Sequence, residues 1–282
     1  MQIKKLGKII SNQDGVIFNG LLFCFNSDAS CRVYRLDEIS DNSVPVAQFI
    51  LDKADLIKPH CNCVVFGNER YHKEDEFPLL YCNVYNNYAR AQQKLIGVTC
   101  VYRLERKENT FTTTLVQLIE IGFTDDPLWK SEHVEDARPY GNFVIDTKND
   151  LYYAFTMRDE EHTTRYFAFD LPKLSDGEYD DRFGVKHVVL QKEDIKDYYD
   201  TDYHKFIQGG CFHNGIIYSV EGFTNSKEVP PAIRLIDVKK KKQQAMYHFQ
   251  DFGLTIEPEL IDFDGEICYY SDDQGNLHEL IF

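Results

Sequence analysis

The sequence predicts an all-β protein folded as a five-bladed β-propeller whose last blade is closed by the N-terminal strand. Three observations predict it. Short runs of aromatic and β-branched residues are interrupted by polar or Gly-rich breaks about every ten residues, and no long segment of helical period intervenes. The stretch "QDGVIFNGLLFCF" from Gln13 lies over "QGGCFHNGIIYSV" from Gln208, with Gly15 on Gly210, Asn19-Gly20 on Asn214-Gly215 and Phe23 on Tyr218. An alternating segment ending near an acidic residue also recurs five times, as "CRVYRLDE", "TCVYRLER", "RYFAFDLP", "AIRLIDVK" and "GNLHELIF".

These copies are the third strands of the predicted blades. Inner strands precede them as "DGVIF", "CNCVVFG", "YGNFVID", "QGGCFH" and "EPELIDF", and second strands as "LLFCFN", "PLLYCNV", "LYYAFTM", "IIYSVEG" and "EICYYSD". Fourth strands follow in four units as "VAQFIL", "TTLVQLIEI", "KHVVLQ" and "QQAMYHF". The fifth unit stops at Phe282, so "IKKLGKII" near the N-terminus is expected to supply its missing strand and leave no open edge there. The blades then span 11–52, 58–123, 138–192, 203–250 and 255–282 with 2–10, within one domain covering 1–282.

Composition narrows the function. With 31 basic against 46 acidic residues the net charge is −15, which opposes phosphate backbones and anionic lipid, so no nucleic acid is expected as partner. No window approaches the roughly 20 apolar residues of a membrane helix. The N-terminal apolar stretch is too short for a secretory signal, so a cytoplasmic protein is expected, or an exported one if a signal segment has been removed. Eight cysteines scattered through apolar runs suit buried packing better than a disulfide framework.

Propeller topology sorts the chemical candidates. Inner-strand starts and second-to-third loops share one face, the mouth. It is expected to collect Gln13, Asp14, His60, Asn62, Arg138, Tyr140, Asn142, His204, Gln208, Glu257 and Glu259. "HCNC" at His60 offers soft ligands, but strand alternation sends Cys61 and Cys63 one way and His60 and Asn62 the other, and no matching pair completes a zinc site. No metal and no cofactor is expected. The acidic "NERYHKEDEF" lacks calcium-loop spacing and falls on the hairpins of the opposite face, as does the Lys239 to Lys242 run.

Asp14, Glu257 and Glu259 can approach one another across the closing blade, and "IEPEL" places the two glutamates on one side of a strand. Two carboxylates at glycosidase separation are thinkable there, although a wet mouth is polar in any case. No nucleophile elbow occurs, and "QGGCFHNG" is a propeller turn, not a phosphate loop. Trp129 begins a polar linker, where loop packing is the simpler account.

With "PHCNCVVFGNERYHKEDEFPLLYCNVY", "RPYGNFVID", "IQGGCFHNGIIYSVEG" and "EPELIDFDGEICYYSDDQGNLHELIF", the chain from about Gly15 onward resembles a group of β-propeller proteins of gut anaerobes related to Bacteroides. The resemblance implies the propeller fold and no activity, and many of those relatives are exported with a lipid-attached N-terminus. The "EPE" and "QGG" blade starts are similar to those of propeller lectins and lactonase-like enzymes. The expected function is a ligand-binding or interaction module, with carbohydrate among the candidate small molecules, using Gln13, His60, Asn62, Arg138, Tyr140, Asn142, His204 and Gln208. The alternatives are a glycoside hydrolase acting through Asp14, Glu257 or Glu259, and a protein-docking platform. Nothing in the sequence sets the oligomeric state.

Overall fold

A computed structural model describes residues 1–84, 95, 97–130 and 142–282. Strand β1 (Gln2–Lys8) precedes blade one, which contains β2 (Asp14–Phe18), β3 (Leu21–Phe25), β4 (Ser30–Arg35) and β5 (Ala47–Ile50). Blade two follows with β6 (Val64–Phe66), β7 (Leu80–Val84), β8 (Val98–Lys107) and β9 (Thr110–Ile121). Blade three opens with β10 (Asn142–Asp146), β11 (Leu151–Arg158) and β12 (Thr163–Asp170); after an excursion through β13 (Glu178–Asp180) and β14 (Val185–Leu190) it ends with β15 (Asp197–Asp202). Blade four comprises β16 (Ile207–His213), β17 (Ile216–Glu221), β18 (Ala232–Asp237) and β19 (Lys242–His248). Blade five adds β20 (Pro258–Asp264), β21 (Ile267–Asp272) and β22 (Asn276–Ile281).

The five sheets form a ring. The inner strands β2, β6, β10, β16 and β20 neighbour one another in cyclic order, and β1 pairs antiparallel with β22 from Gln2 opposite Ile281 to Lys8 opposite Asn276. The last blade is therefore completed by the N-terminal strand, as the missing fourth strand required.

The internal repeat has a physical basis at both copies. Asn19 and Gly20 hold φ of 49° and 73°, and Asn214 and Gly215 hold 48° and 82°. Two successive left-handed residues make the tight hairpin whose twist matches the flanking strands, and Asn-Gly is the pair that adopts it at least cost. At the matched glycines, a Cβ on Gly15 would stand 2.6 Å from the Phe23 carbonyl and one on Gly210 3.0 Å from the Tyr218 carbonyl, the counterpart position.

Inner strands pair on one side only, so their other edge carries bare N–H groups at the ring's centre. Side chains of the preceding blade cover some of these. Asp14 Oδ2 accepts from Val64 N at 2.7 Å, joining blade one to blade two. Cys63 packs at the next boundary with Phe143, its Sγ 3.6 Å from Asn142 Oδ1, joining two to three. Asp262 Oδ2 accepts from Ile17 N at 2.6 Å across the closing seam. Aromatic layers fill the space between blades. Phe23 meets Phe66, Phe77 and Phe111 edge-on, and the fully buried Trp129 stacks on Phe167 at 5.2 Å, so Trp129 packs the fold.

One strand lies elsewhere than expected. "KHVVLQ" does not close blade three; it forms β14, which runs parallel to β9 from Lys186 opposite Gln117 to Leu190 opposite Ile121. With β13 it widens blade two to six strands. Blade three's outer strand is instead β15, "DYYDTD", and blade three thus reaches Asp202 and not residue 192. The reason is local. After Leu171, Pro172 cannot donate to a ladder, the chain leaves the sheet there, and the alternating Val185 and His187 find buried positions against blade two.

Candidate functional site

The mouth is shaped by two β-bulges at equivalent places. β16 slips register against β17 between Ile207 and Gly209, and β20 against β21 between Pro258 and Leu260. The extra residues are Gln208 and Glu259. A bulge bends its strand and re-aims the side chain it carries, and here both chains turn toward the same crescent formed by blades four, five and one. The backbones press together beneath it: a Cβ on Gly209 would stand 2.5 Å from the Glu259 carbonyl oxygen.

Amides clamp the carboxyls of this crescent. Gln208 Nε2 donates to Glu257 Oε1 and to the Gly222 carbonyl at 3.3 Å. Gln13 Nε2 reaches Glu259 Oε1 at 3.4 Å. Glu257 is half-buried and anchored by its own N–H to Thr224 Oγ1 at 2.9 Å, whereas Glu259 is 2% exposed. The two glutamates are therefore not equivalent neighbours on one strand side, as simple alternation suggested, because Glu257 precedes the strand and Glu259 is the bulged residue. Glu259 Oε2 and Asp14 Oδ1 are enclosed with no hydrogen-bond partner.

Asp273, which the sequence reading passed over, joins this group: its N–H donates to the Glu257 carbonyl at 2.9 Å. The signal for it was present, since "YYSDDQGN" is the second-to-third loop of blade five and such loops belong to the mouth. Its neighbour Asp272 is occupied in capping that turn, accepting from Gln274 N, Asn276 N and Asn276 Nδ2.

Electrostatically the crescent moves in one direction. Burial raises Asp14 and Glu259 far above the usual carboxylate range, with neighbouring carboxylates adding to both. Glu257 is raised by burial and then by Asp273, and Asp273 by burial and then by Asp272.

The remaining expected mouth residues are distributed differently. Asn62 lies buried at blade two's end of the mouth, its Oδ1 accepting from Asn83 Nδ2, and Asn142 is buried with Oδ1 3.6 Å from Cys63 Sγ. His60 is not in the crescent. It lines an open cleft of about 980 Å³ beside Ser27, Asp28, Lys53 and Lys58, and burial pushes its imidazole down to about 4. The cleft includes the second-to-third loop of blade one at Ser27 and Asp28, so His60 stays on the mouth face but away from the crescent; residues 58–63 precede β6, and strand alternation does not govern them. His204 is misplaced by the expectation. It is fully buried, its N–H donating to Thr164 Oγ1 at 2.8 Å and its Nδ1 3.4 Å from Tyr166 Oη, and burial followed by Arg234 holds it neutral. Asp14 lies at the mouth in sequence but is wholly enclosed as the clasp on Val64. Arg138 and Tyr140 lie outside the described residues.

Cys61 and Cys63 face opposite ways, correcting the alternation argument. Cys61 has φ of 62° and packs between blades one and two, while Cys63 packs between two and three. All eight cysteines are buried, and among the described residues no group of three or more His, Cys, Asp or Glu is arranged to hold a metal. The acidic hairpin after β6 is engaged in ion pairs, Asp75 with Arg103 at 2.8 Å and Glu76 with Arg106. Among the described residues no helix is long and apolar enough to cross a membrane.

No protein-family profile and no curated protein matches the chain. Among solved structures it is similar to exo-β-1,3-galactanase from Phanerochaete chrysosporium with β-1,3-galactotriose, at 9% identity and a TM-score of 0.49, over 99% of this chain and 64% of that one. It is likewise similar to the computationally designed Ika8 protein, at 8% identity and 0.39 over 99% and 100%. Sqt1 of Saccharomyces cerevisiae matches at 8% and 0.39, this chain spanning 54% of its length. Likenesses at these values assign no activity to this chain.

Proposed function

We propose that the protein is a binding propeller whose mouth, on the side of blades four, five and one, holds a small polyhydroxylated or amine-bearing molecule, with carbohydrate the class to test first. The observation that carries this reading is the pair of amide clamps, Gln208 on Glu257 and Gln13 on Glu259, around carboxyls that are mostly enclosed. A glycosidase needs one carboxyl held as acid and a second kept ionised as base or nucleophile, so its environments push the two apart. Here the two carboxyls raised furthest, Asp14 and Glu259, are both enclosed, and Glu257 is held by Gln208. Asp14 and Glu259 are too enclosed to reach a scissile bond. What stays accessible in the crescent is Gln13, Gln208, Glu257 and Asp273, amide and carboxyl groups able to donate and accept, which suits hydroxyl or amine recognition.

Calorimetric titration with a panel of neutral sugars, amino sugars and polyamines tests the proposal. A ligand is expected whose affinity falls at least tenfold in Gln208→Ala and is unchanged in His60→Ala, because His60 lies in the separate cleft. Absence of binding across the panel, or binding indifferent to Gln208→Ala, would favour a docking platform instead. Turnover of an aryl glycoside abolished by Glu257→Gln would favour the hydrolase.

A further inference from the structure

In the lead-in to blade two, His60 lines the open cleft and Asn62 is buried against Asn83, with Cys61 between them. Cys61 occupies the left-handed backbone region, which is unfavourable for a residue with a Cβ and persists only where surrounding structure holds it. That conformation turns its side chain into the boundary between blades one and two, where Cys61 Sγ lies 3.2 Å from Cys82 Sγ. The backbone is already fixed on both sides of the pair: Cys61 N–H points to the Asn83 carbonyl at 3.5 Å, and Asn83 N–H donates to the Cys63 carbonyl at 3.1 Å. A disulfide sets its sulfurs about 2.05 Å apart, so closure needs the sulfurs to approach by about 1 Å.

We propose that Cys61 and Cys82 form a disulfide site, closed by exchange with a low-molecular-weight disulfide while blade two is assembling. The thiolate of one cysteine attacks the external disulfide, releasing one small thiol and leaving a mixed disulfide. The thiolate of the other then displaces the second small thiol, so two protein thiols and one disulfide yield one protein disulfide and two small thiols. Both side chains are fully buried in the finished fold, which assigns the exchange to folding or to local opening of this lead-in. The bond would tether residues 58–63 to β7 and hold Asn62 and His60 in place. Cys100 sits opposite Cys82 in the β7 and β8 register and is the built-in competitor.

The test is to refold the full chain with a mixture of reduced and oxidised glutathione, and separately with dithiothreitol, then alkylate under denaturing conditions. Two fewer alkylated cysteines than the eight present are expected after oxidative refolding, with a non-reducing digest linking the peptides of Cys61 and Cys82. A rise in Tm of about 5–10 °C should accompany the bond, vanish with dithiothreitol and be absent in Cys82→Ser. The same count on protein produced already folded in an oxidising compartment covers the case in which refolding fails. Eight alkylated cysteines in both preparations, or a link from Cys82 to Cys100 in place of Cys61, would overturn the proposal.

Discussion

Replacing Asp262 by Asn should flatten part of the protein's pH dependence, and the size of the effect follows from the closing seam. Asp262 accepts the Ile17 N–H across that seam, and burial, with Asp264 adding, raises its carboxyl from 3.8 to about 7 against the pull of the Ile17 and Phe263 amides. A raised carboxyl binds its proton more tightly in the folded than in the unfolded chain. Its contribution to stability is therefore complete below about pH 4 and lost as pH rises through about 7. At about 1.4 kcal/mol per tenfold change in proton affinity, the full span is about 4 kcal/mol, of which about 2 kcal/mol falls between pH 5.5 and 8.5. Asparagine keeps the oxygen that accepts from Ile17 and has no proton to lose. Urea unfolding of both proteins across that window should show the variant gaining about 2 kcal/mol on the parent toward alkaline pH. Glu257 and Glu259 are not influenced by Asp262 and cancel in the difference, whereas Asp14, raised in part by Asp262, is relieved slightly in the variant, so Asp14→Asn in both backgrounds isolates the Asp262 effect. A difference that stays constant with pH would refute the reasoning, since it would mean that Asp262 is ionised throughout.

Further tests address the clasps, the ring and the bulges. Asp14→Ala strips the acceptor from the buried Val64 N–H and should cost about 1–3 kcal/mol, most of it restored in Asp14→Asn, as read by denaturant midpoint. Deleting residues 1–8 removes β1 from β22 and exposes an edge of blade five; a large fall in Tm and concentration-dependent association by size-exclusion chromatography are expected. Gly209→Ala drives a Cβ into the Glu259 carbonyl and should cost about 1–3 kcal/mol of stability in thermal unfolding, because backbone must move to admit it.

Much of the architecture was legible because it is repeated. Gly15 with Gly210, and Asn19-Gly20 with Asn214-Gly215, mark positions where a close carbonyl or a left-handed turn excludes most other residues. The N-terminal closure followed from counting strands. β15 escaped because "DYYDTD" exposes its aspartates and looks like a loop, and β14 because a parallel strand added from another blade leaves no trace in local periodicity. At the site, the structure places Gln13 beside Glu259 and Gln208 beside Glu257. Side-chain direction was legible only where alternation holds, and it fails at the Gln208 and Glu259 bulges, at the left-handed Cys61, and in the lead-in bearing His60.

The strand β14 has a mechanical consequence. A ring of blades held by packing alone can part at any boundary, but here chain that has already traversed blade three returns to bond along blade two's outer edge, with His187 placed against Glu120 and Asp180, and Gln117 donating to the Lys173 carbonyl at 2.7 Å. Blades two and three are thereby welded into one unit of opening, and amide exchange should report them as a shared, slow-exchanging block.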